Sequence, residues 1–306
     1  MSLRRFCVNP FEAGGRWYRG NIHTHSVGSD GTRTPEQLVS MYRGAGYDFL
    51  SITDHSAVTD VGGLGGRGLL LVPGEELCVG RSHAGTHYHL VAVGVPETLP
   101  FRDFDYGTQP QRVVDDVKRL GGVSVLAHPY WSGLSHEDAL AVDGLCGVEI
   151  YNTSCDYERN TGLSAPHVDA LIAAGRRPLI FAVDDHHGAD RPTMPVDACG
   201  AWIMVKALSL EEPDILESIR GGLFYASTGP EIKGIGIDGD GVISVECSPA
   251  RTISFVSTPS LGMKFHAVGG PLTSATYPGR PGEKYVRVEV TDFEGRSAWS
   301  NPIYNE

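Results

Sequence analysis

The sequence predicts an α/β chain: a distorted (β/α)7 barrel over residues 1–230, then a small all-β sandwich over 231–306. Three observations predict it. Apolar runs of strand length alternate with helical segments about seven times, the pattern of a mostly parallel sheet. Most of these runs begin or end in His, Asp or Glu, at the rim where a sheet closed into a barrel keeps its chemistry. From about Glu231 the helical signal stops, and short alternating runs separated by turns take over.

The first strand is expected over Gly20–His25, where the side chains of His23 and His25, two residues apart, share one face. Thr34-Pro35-Glu36 opens a helix running to about Arg43, with Thr as cap and Pro in the first turn. Asp48–His55 is an apolar strand ending in a histidine. The glycine-rich stretch Gly62–Gly68 reads as a lid or linker, and Leu69–Glu76 as a buried strand ending in two glutamates. Tyr88–Gly94 is expected to return antiparallel through the loop Gly80–His87, bringing His89 level with Glu76. This reversal is what marks the barrel as distorted. A helix over Gln111–Leu120, the strand Val123–His128, a short helix near Ser135–Val142 and the strand Gly147–Asn152 follow. The helix His167–Ala174, the run Pro178–His187, the strand Trp202–Val205 and a helix over Glu211–Arg220 complete this part. In the tail, Ile232–Ile237, Val242–Cys247, Thr252–Ser257 and Tyr285–Val290 alternate between turn signals such as Asp238-Gly and Pro278-Gly.

At 306 residues the chain has ample length for a sizeable core. No apolar run is long enough to span a bilayer, and Arg4 and Arg5 are followed by mixed polar sequence, so a cytoplasmic location is expected. The six cysteines are scattered without a C-x-x-C pair and read as reduced and mostly buried. A formal net charge of −12 argues against stable nucleic-acid or anionic-membrane partners.

Each candidate ligand has a bland alternative as a strand cap, a turn or a solvated pair. Together they do not, because imidazoles and carboxylates at the ends of deeply apolar strands cost free energy unless paired or liganded. The motifs are His23-Thr-His25 with Ser29-Asp30-Gly31, Thr53-Asp54-His55, Pro73-Gly-Glu-Glu76, His89, Ala127-His128-Pro129 and Asp184-Asp-His-His187. In this order they resemble the polymerase and histidinol phosphatase (PHP) family of metal-dependent phosphoesterases, over roughly residues 20–190. The tail, closing in Trp299-Ser-Asn-Pro302, is similar to the branch that includes carbaryl hydrolase.

The resemblance implies a TIM-like PHP barrel with a trinuclear centre. His23, His25, Glu76 and Asp185 would hold one metal; Glu76 would bridge to a second, completed by His89 and His128; Asp30, His55 and His187 would hold a third. Glu75 remains an alternative to Glu76, and Asp184/His186 to Asp185/His187. Six histidines and three carboxylates suit two to three Zn, Mn or Fe ions better than Mg or Ca. Asp54 and Glu149 are placed to orient ligand imidazoles, and His83, His87 and His186 to support the site.

In the implied reaction a metal-bridging hydroxide attacks a small phosphate monoester or diester, with Asp185 and His187 as catalytic residues. Arg81 and Arg191 are the candidates for gripping the substrate phosphate, with Arg159 behind them. No G-x-S-x-G elbow or nucleotide-binding glycine fingerprint points to covalent or cofactor chemistry. The same metals would serve a carbamate or carboxyl ester hydrolase. A non-catalytic metal-containing binding protein is the third possibility.

Overall fold

The computed structural model describes residues 4–5, 9–64, 68–188, 195–257 and 261–305. A two-residue strand β1 (Arg4–Arg5) precedes β2 (Arg16–Asn21), helix α1 (Pro35–Gly44), β3 (Phe49–Ile52), β4 (Leu70–Val79) and β5 (Tyr88–Val93). Then come α2 (Pro110–Arg119), β6 (Val123–Leu126), α3 (His136–Leu140), β7 (Gly147–Asn152), α4 (Thr153–Arg159), α5 (Ala165–Ala173) and β8 (Leu179–Val183). β9 (Trp202–Ala207), α6 (Glu212–Arg220) and β10 (Phe224–Ser227) close this half.

Local chemistry sets these boundaries. Thr34 caps α1 by accepting from Gln37 N while the Gln37 side chain accepts from Thr34 N, and Pro35 occupies the first turn. Ser135 and Asp138 form the same reciprocal cap on α3. β3, β6 and β8 are almost wholly buried apolar runs, as strands covered on both faces must be.

Hydrogen-bonded neighbours run β10-β9-β2-β3-β4-β5-β6-β7-β8. The β2–β3, β3–β4, β6–β7 and β7–β8 pairs are parallel, while β5 is antiparallel to both β4 and β6. The reversed strand is therefore where the sequence places it. Its register differs: Glu76 faces Val91 across the ladder, and His89 faces Cys78.

The sheet departs from a regular barrel. Among the described residues no helix separates β3 from β4 or β8 from β9, and β9 and β10 run antiparallel. The strand ladder does not close between β8 and β10. Instead, Asn301 sits between them: its Oδ1 accepts from Ile180 N (2.8 Å) and its Nδ2 donates to Phe224 O (3.0 Å) and Gly222 O (3.2 Å). The side chain satisfies polar groups that strand pairing would otherwise use. Past the strand ends, Asp185 N donates to His23 O (2.9 Å) and His25 N to His186 O (2.8 Å), tying the loop after β2 to the loop after β8.

Among the described residues the tail has eight strands: β11 (Ile232–Ile237), β12 (Ile243–Ala250), β13 (Thr252–Ser257), β14 (Leu261–His266), β15 (Leu272–Tyr277), β16 (Tyr285–Thr291), β17 (Ser297–Ser300) and β18 (Ile303–Asn305). β11-β12-β15 form a separate sheet, while β16 and β17 continue the large sheet by pairing β17 with β10. A second apolar core joins the two sheets through Ile235, Val245 and Tyr277 on one side and Phe255, Val288 and Val290 on the other. Arg287, buried to 2 % exposure, reaches from β16 to Asp169 on α5 (3.1 and 3.2 Å) and fixes the tail against the first half. No described helix is long and apolar enough to cross a membrane.

Candidate metal centre

The segments after β2, β3, β6 and β8, the start of β5 and the interior of β4 bring the expected residues to one rim. β2 stops at Asn21, whose side chain donates to His23 O (2.9 Å) and accepts from Asp184 N (3.1 Å), fixing the segment that carries His23 and His25. Both imidazoles are fully buried. His23 Nε2 lies 3.2 Å from Glu76 Oε2 and 3.1 Å from Asp185 Oδ1, and His25 Nε2 repeats those two distances.

A second group surrounds the other Glu76 oxygen, Oε1, which is 3.0 Å from His89 Nδ1 and 3.3 Å from His128 Nε2. A third lies at the mouth, where Asp30 Oδ2 is 3.4 Å from His187 Nε2 and 3.7 Å from His55 Nε2. All nine residues thus come together.

The donor set fits divalent cations on its own terms. His23 Nε2, His25 Nε2 and Asp185 Oδ1 are buried and make no hydrogen bond, although they sit about one another at contact distance. Buried polar atoms without partners are rare. Lone pairs that converge without bonding one another are the arrangement a cation requires. Electrostatics agree. Burial opposes charge on His55 and His187, yet Glu76 and Asp103 hold His55 at about 9, and Asp185 and Asp30 hold His187 at about 10. Glu76 and Asp185 are held well below the usual carboxylate range against their burial, chiefly by His23. The pocket stabilises positive charge at its centre.

Backbone geometry separates the alternatives that spacing left open. Asp185 adopts φ 55°, a left-handed conformation uncommon for a non-glycine residue, and its carboxylate enters the centre. Asp184 points the other way and accepts from Tyr42 Oη, Cys199 N, Gly200 N and Ala201 N at 2.8–2.9 Å. His186 pairs through Nδ1 with Asp197, while His187 faces Asp30. Glu75, on the opposite face of β4 from Glu76, accepts from Leu99 N (2.7 Å), and burial pushes it up to about 7.

Other carboxylates hold the loops that carry these residues. Glu149 Oε1 meets His23 Nδ1 at 2.6 Å, and its Oε2 accepts from His128 N (2.8 Å) and Asn152 Nδ2 (3.0 Å). Asp54 accepts from Ser26 N (2.7 Å), Ser26 Oγ, Ser29 Oγ and Thr59 Oγ1. Asn152 also donates to Asp185 Oδ2 (3.1 Å). His83 binds Asp138, away from the centre, and His87 stacks on Tyr106.

The centre opens into a cavity of about 420 Å³ walled by Phe104, Trp131, Cys155 and Glu158. Trp131 packs edge-on against His89 and His128 and donates to Glu158 (2.8 Å). Arg81 does not line this cavity; its guanidinium lies over Tyr106 at 5.3 Å. Arg159 lies over Trp131 at 4.9 Å and pairs with Glu158, and Arg191 falls outside the described residues. Sequence reasoning did not single out Cys78, Cys155, Asp103, Asn152, Trp131 or Asp197. Only Asn152, at the end of an apolar strand, carried a local signal.

No protein-family model matches the sequence. An uncharacterized protein of Methanocaldococcus jannaschii is 25% identical over 125 residues, 40% of this chain and 68% of the relative. Among solved structures, a two-domain protein from Bacteroides vulgatus, described as containing a predicted PHP-like metal-dependent phosphoesterase, superposes with a TM-score of 0.52. It is 18% identical, and the match covers 92% of both chains. A putative metal-dependent phosphoesterase from Bifidobacterium adolescentis matches at TM-score 0.42 and 21% identity over 57% of this chain and 89% of its own, too weakly to carry an argument. None of these names mentions carbaryl hydrolase, so that branch rests on sequence motifs alone. The overall architecture, α/β half and β-rich tail together, is similar to that of this two-domain protein.

Proposed function

We propose that this chain is a PHP-type metal-dependent hydrolase that cleaves a small phosphate monoester or diester at a trinuclear centre. Residues 1–230 carry the chemistry, and residues 231–306 support it. The observation that carries the reading is the convergence of His23, His25, Glu76 and Asp185, buried together with nitrogen and oxygen atoms that make no hydrogen bond. His23, His25, Glu76 and Asp185 would hold one ion, Glu76, His89 and His128 a second, and Asp30, His55 and His187 a third. Zn, Mn or Fe so held would supply Lewis acidity and water activated at neutral pH.

The chain's own residues do the rest. Glu149 fixes the ring of His23 and the backbone of His128, so the donor atoms are aimed before any ligand arrives. Asn152 holds Asp185 Oδ2, which orients the carboxylate so that Oδ1 faces His23 and His25 in the donor cluster. His187 donates from Nδ1 to Asp185 O (2.8 Å), which turns Nε2 towards Asp30 at the mouth, where the pair would hold the third ion. Trp131 and Phe104 shield the centre and limit the substrate to a small one. These apolar walls also favour a second reading, in which an aryl carbamate or carboxyl ester is cleaved by the same centre.

Elemental analysis of chelator-free protein, alongside product release from phosphoesters, aryl esters and carbamates, tests both readings. Two to three transition-metal ions per chain with phosphate release supports the first. Metal with ester or carbamate cleavage alone supports the second. Asp185→Ala and His55→Ala should each abolish turnover while the far-ultraviolet circular dichroism stays unchanged. Turnover surviving both replacements would refute the catalytic assignment.

A further inference from the structure

Cys78 lies inside the donor array, although nothing in its sequence neighbourhood marks it as a ligand. It follows Glu76 by two residues on β4, so both side chains leave the same face, and it stands directly opposite His89 in the β4–β5 ladder. The residue is fully buried. Its Sγ is 3.2 Å from His89 Nδ1 and 3.6 Å from His55 Nδ1, and Glu76, Cys78 and His89 present donor atoms within 4.8 Å of one another. His128 Nε2 lies 3.3 Å from the same Glu76 oxygen that His89 approaches.

The spacing matches a shared coordination sphere. Zinc–sulfur and zinc–nitrogen bonds of about 2.3 and 2.0–2.1 Å at a tetrahedral ion place sulfur and nitrogen roughly 3.5 Å apart. The 3.2 Å between Cys78 Sγ and His89 Nδ1 is close to that value. Resting on the metal-centre reading above, we infer that Cys78 supplies a thiolate to the cation held by Glu76, His89 and His128. The thiol proton leaves to solvent as the cation enters. One sulfur among nitrogen and oxygen donors makes this position softer than the other two and biases it towards zinc over manganese.

The test uses the full chain loaded with cobalt(II), because a thiolate bound to cobalt gives an intense near-ultraviolet charge-transfer band that imidazole and carboxylate ligands do not. The band should appear in the wild type, persist in Cys155→Ser and vanish in Cys78→Ser. Cys155 is the appropriate control, since its Sγ lies 3.9 Å from Asp185 Oδ2. Cobalt bound without the band, or a band that survives Cys78→Ser, overturns the inference and leaves the metal centre standing. Failure to bind cobalt, zinc or manganese at all overturns the metal centre itself, and this inference with it. Should Cys78→Ser fail to fold, X-ray absorption of zinc-loaded wild type and Cys155→Ser decides: a sulfur scatterer at about 2.3 Å in both supports the assignment, and its absence refutes it.

Discussion

Replacing Glu149 with Gln tests whether the centre is aimed in advance by groups that touch no metal. The carboxylate accepts at both oxygens: His23 Nδ1 at Oε1, and His128 N and Asn152 Nδ2 at Oε2. A glutamine of the same shape has one accepting oxygen and one donating nitrogen. If the amide oxygen serves His128 N and Asn152, the amide nitrogen faces His23 Nδ1. The imidazole must then carry its proton on Nε2, the atom aimed at Glu76 and Asp185. If the amide is reversed, its nitrogen faces the His128 N–H and the Asn152 amide, and buried donors lose their acceptor. Neither orientation satisfies the site. Loss of such an outer partner typically weakens metal affinity about 10–100-fold, or roughly 1.4–2.8 kcal/mol. An unsatisfied buried donor adds about 1–3 kcal/mol of fold destabilisation. Competition of zinc between the protein and a chromophoric chelator measures the first quantity, and urea unfolding of the metal-free chain the second. A Glu149→Gln protein that folds and binds zinc within about twofold of the wild type would refute the reasoning, since the expected loss is at least tenfold.

Further outcomes follow from the same contacts. Asp184→Asn keeps one accepting oxygen, so either Tyr42 Oη and Cys199 N or Gly200 N and Ala201 N lose their acceptor, and it should cost about 1–3 kcal/mol in urea unfolding yet leave metal stoichiometry intact. Asp185→Asn should do the reverse, and elemental analysis of the two variants separates adjacent aspartates with different tasks. Asn301→Ala strips Ile180 N of its acceptor and two carbonyls of their donor, and should lower stability by about 1–3 kcal/mol without touching the site. Burial alone would raise the Asp138 carboxyl, but Ser135 and His83 hold it at about 2. Its folded value lies below the ordinary 3.8, so the stability it contributes is present above about pH 4 and is lost as pH falls towards 2. Urea midpoints measured across that window should fall less steeply in Asp138→Asn than in the wild type.

Much of the centre was legible because its signal is local. An imidazole or carboxylate ending an apolar run is costly unless it has a partner, and His23, His25, His55, His89 and His128 all announce themselves in this way. What spacing could not say was which of two neighbours faces inward. Glu75 and Glu76 occupy opposite faces of one strand, and the sequence does not reveal which face meets the histidines. Asp184 and Asp185 each precede a histidine by two positions, and only the left-handed turn at Asp185 decides between them. A closed barrel is not found among the described residues, for a different reason. Alternation of strands and helices is local, whereas the gap between β8 and β10 is bridged by Asn301, which lies 121 positions from Ile180. Cys78 escaped notice because a buried cysteine on an apolar strand looks like any small core residue. Its meaning appears only when the β4–β5 register sets it opposite His89.

The carboxylates that are not ligand candidates explain how so charged a centre can be part of a stable fold. Each fastens one ligand-bearing segment by accepting main-chain N–H groups. Asp54 holds Ser26 N beside His25, and Glu149 holds His128 N. Asp197 holds His187 N and Gly188 N, and Asp184 holds residues 199–201 behind the segment that carries Asp185. Hydrogen bonds hold Asp54 and Asp197 below the usual carboxylate range against their burial, whereas burial outweighs the bonds at Asp184 and pushes it up to about 6. The loops are therefore set by main-chain bonds to groups outside the donor cluster. The strain of the left-handed Asp185 is borne by this surrounding network of main-chain bonds.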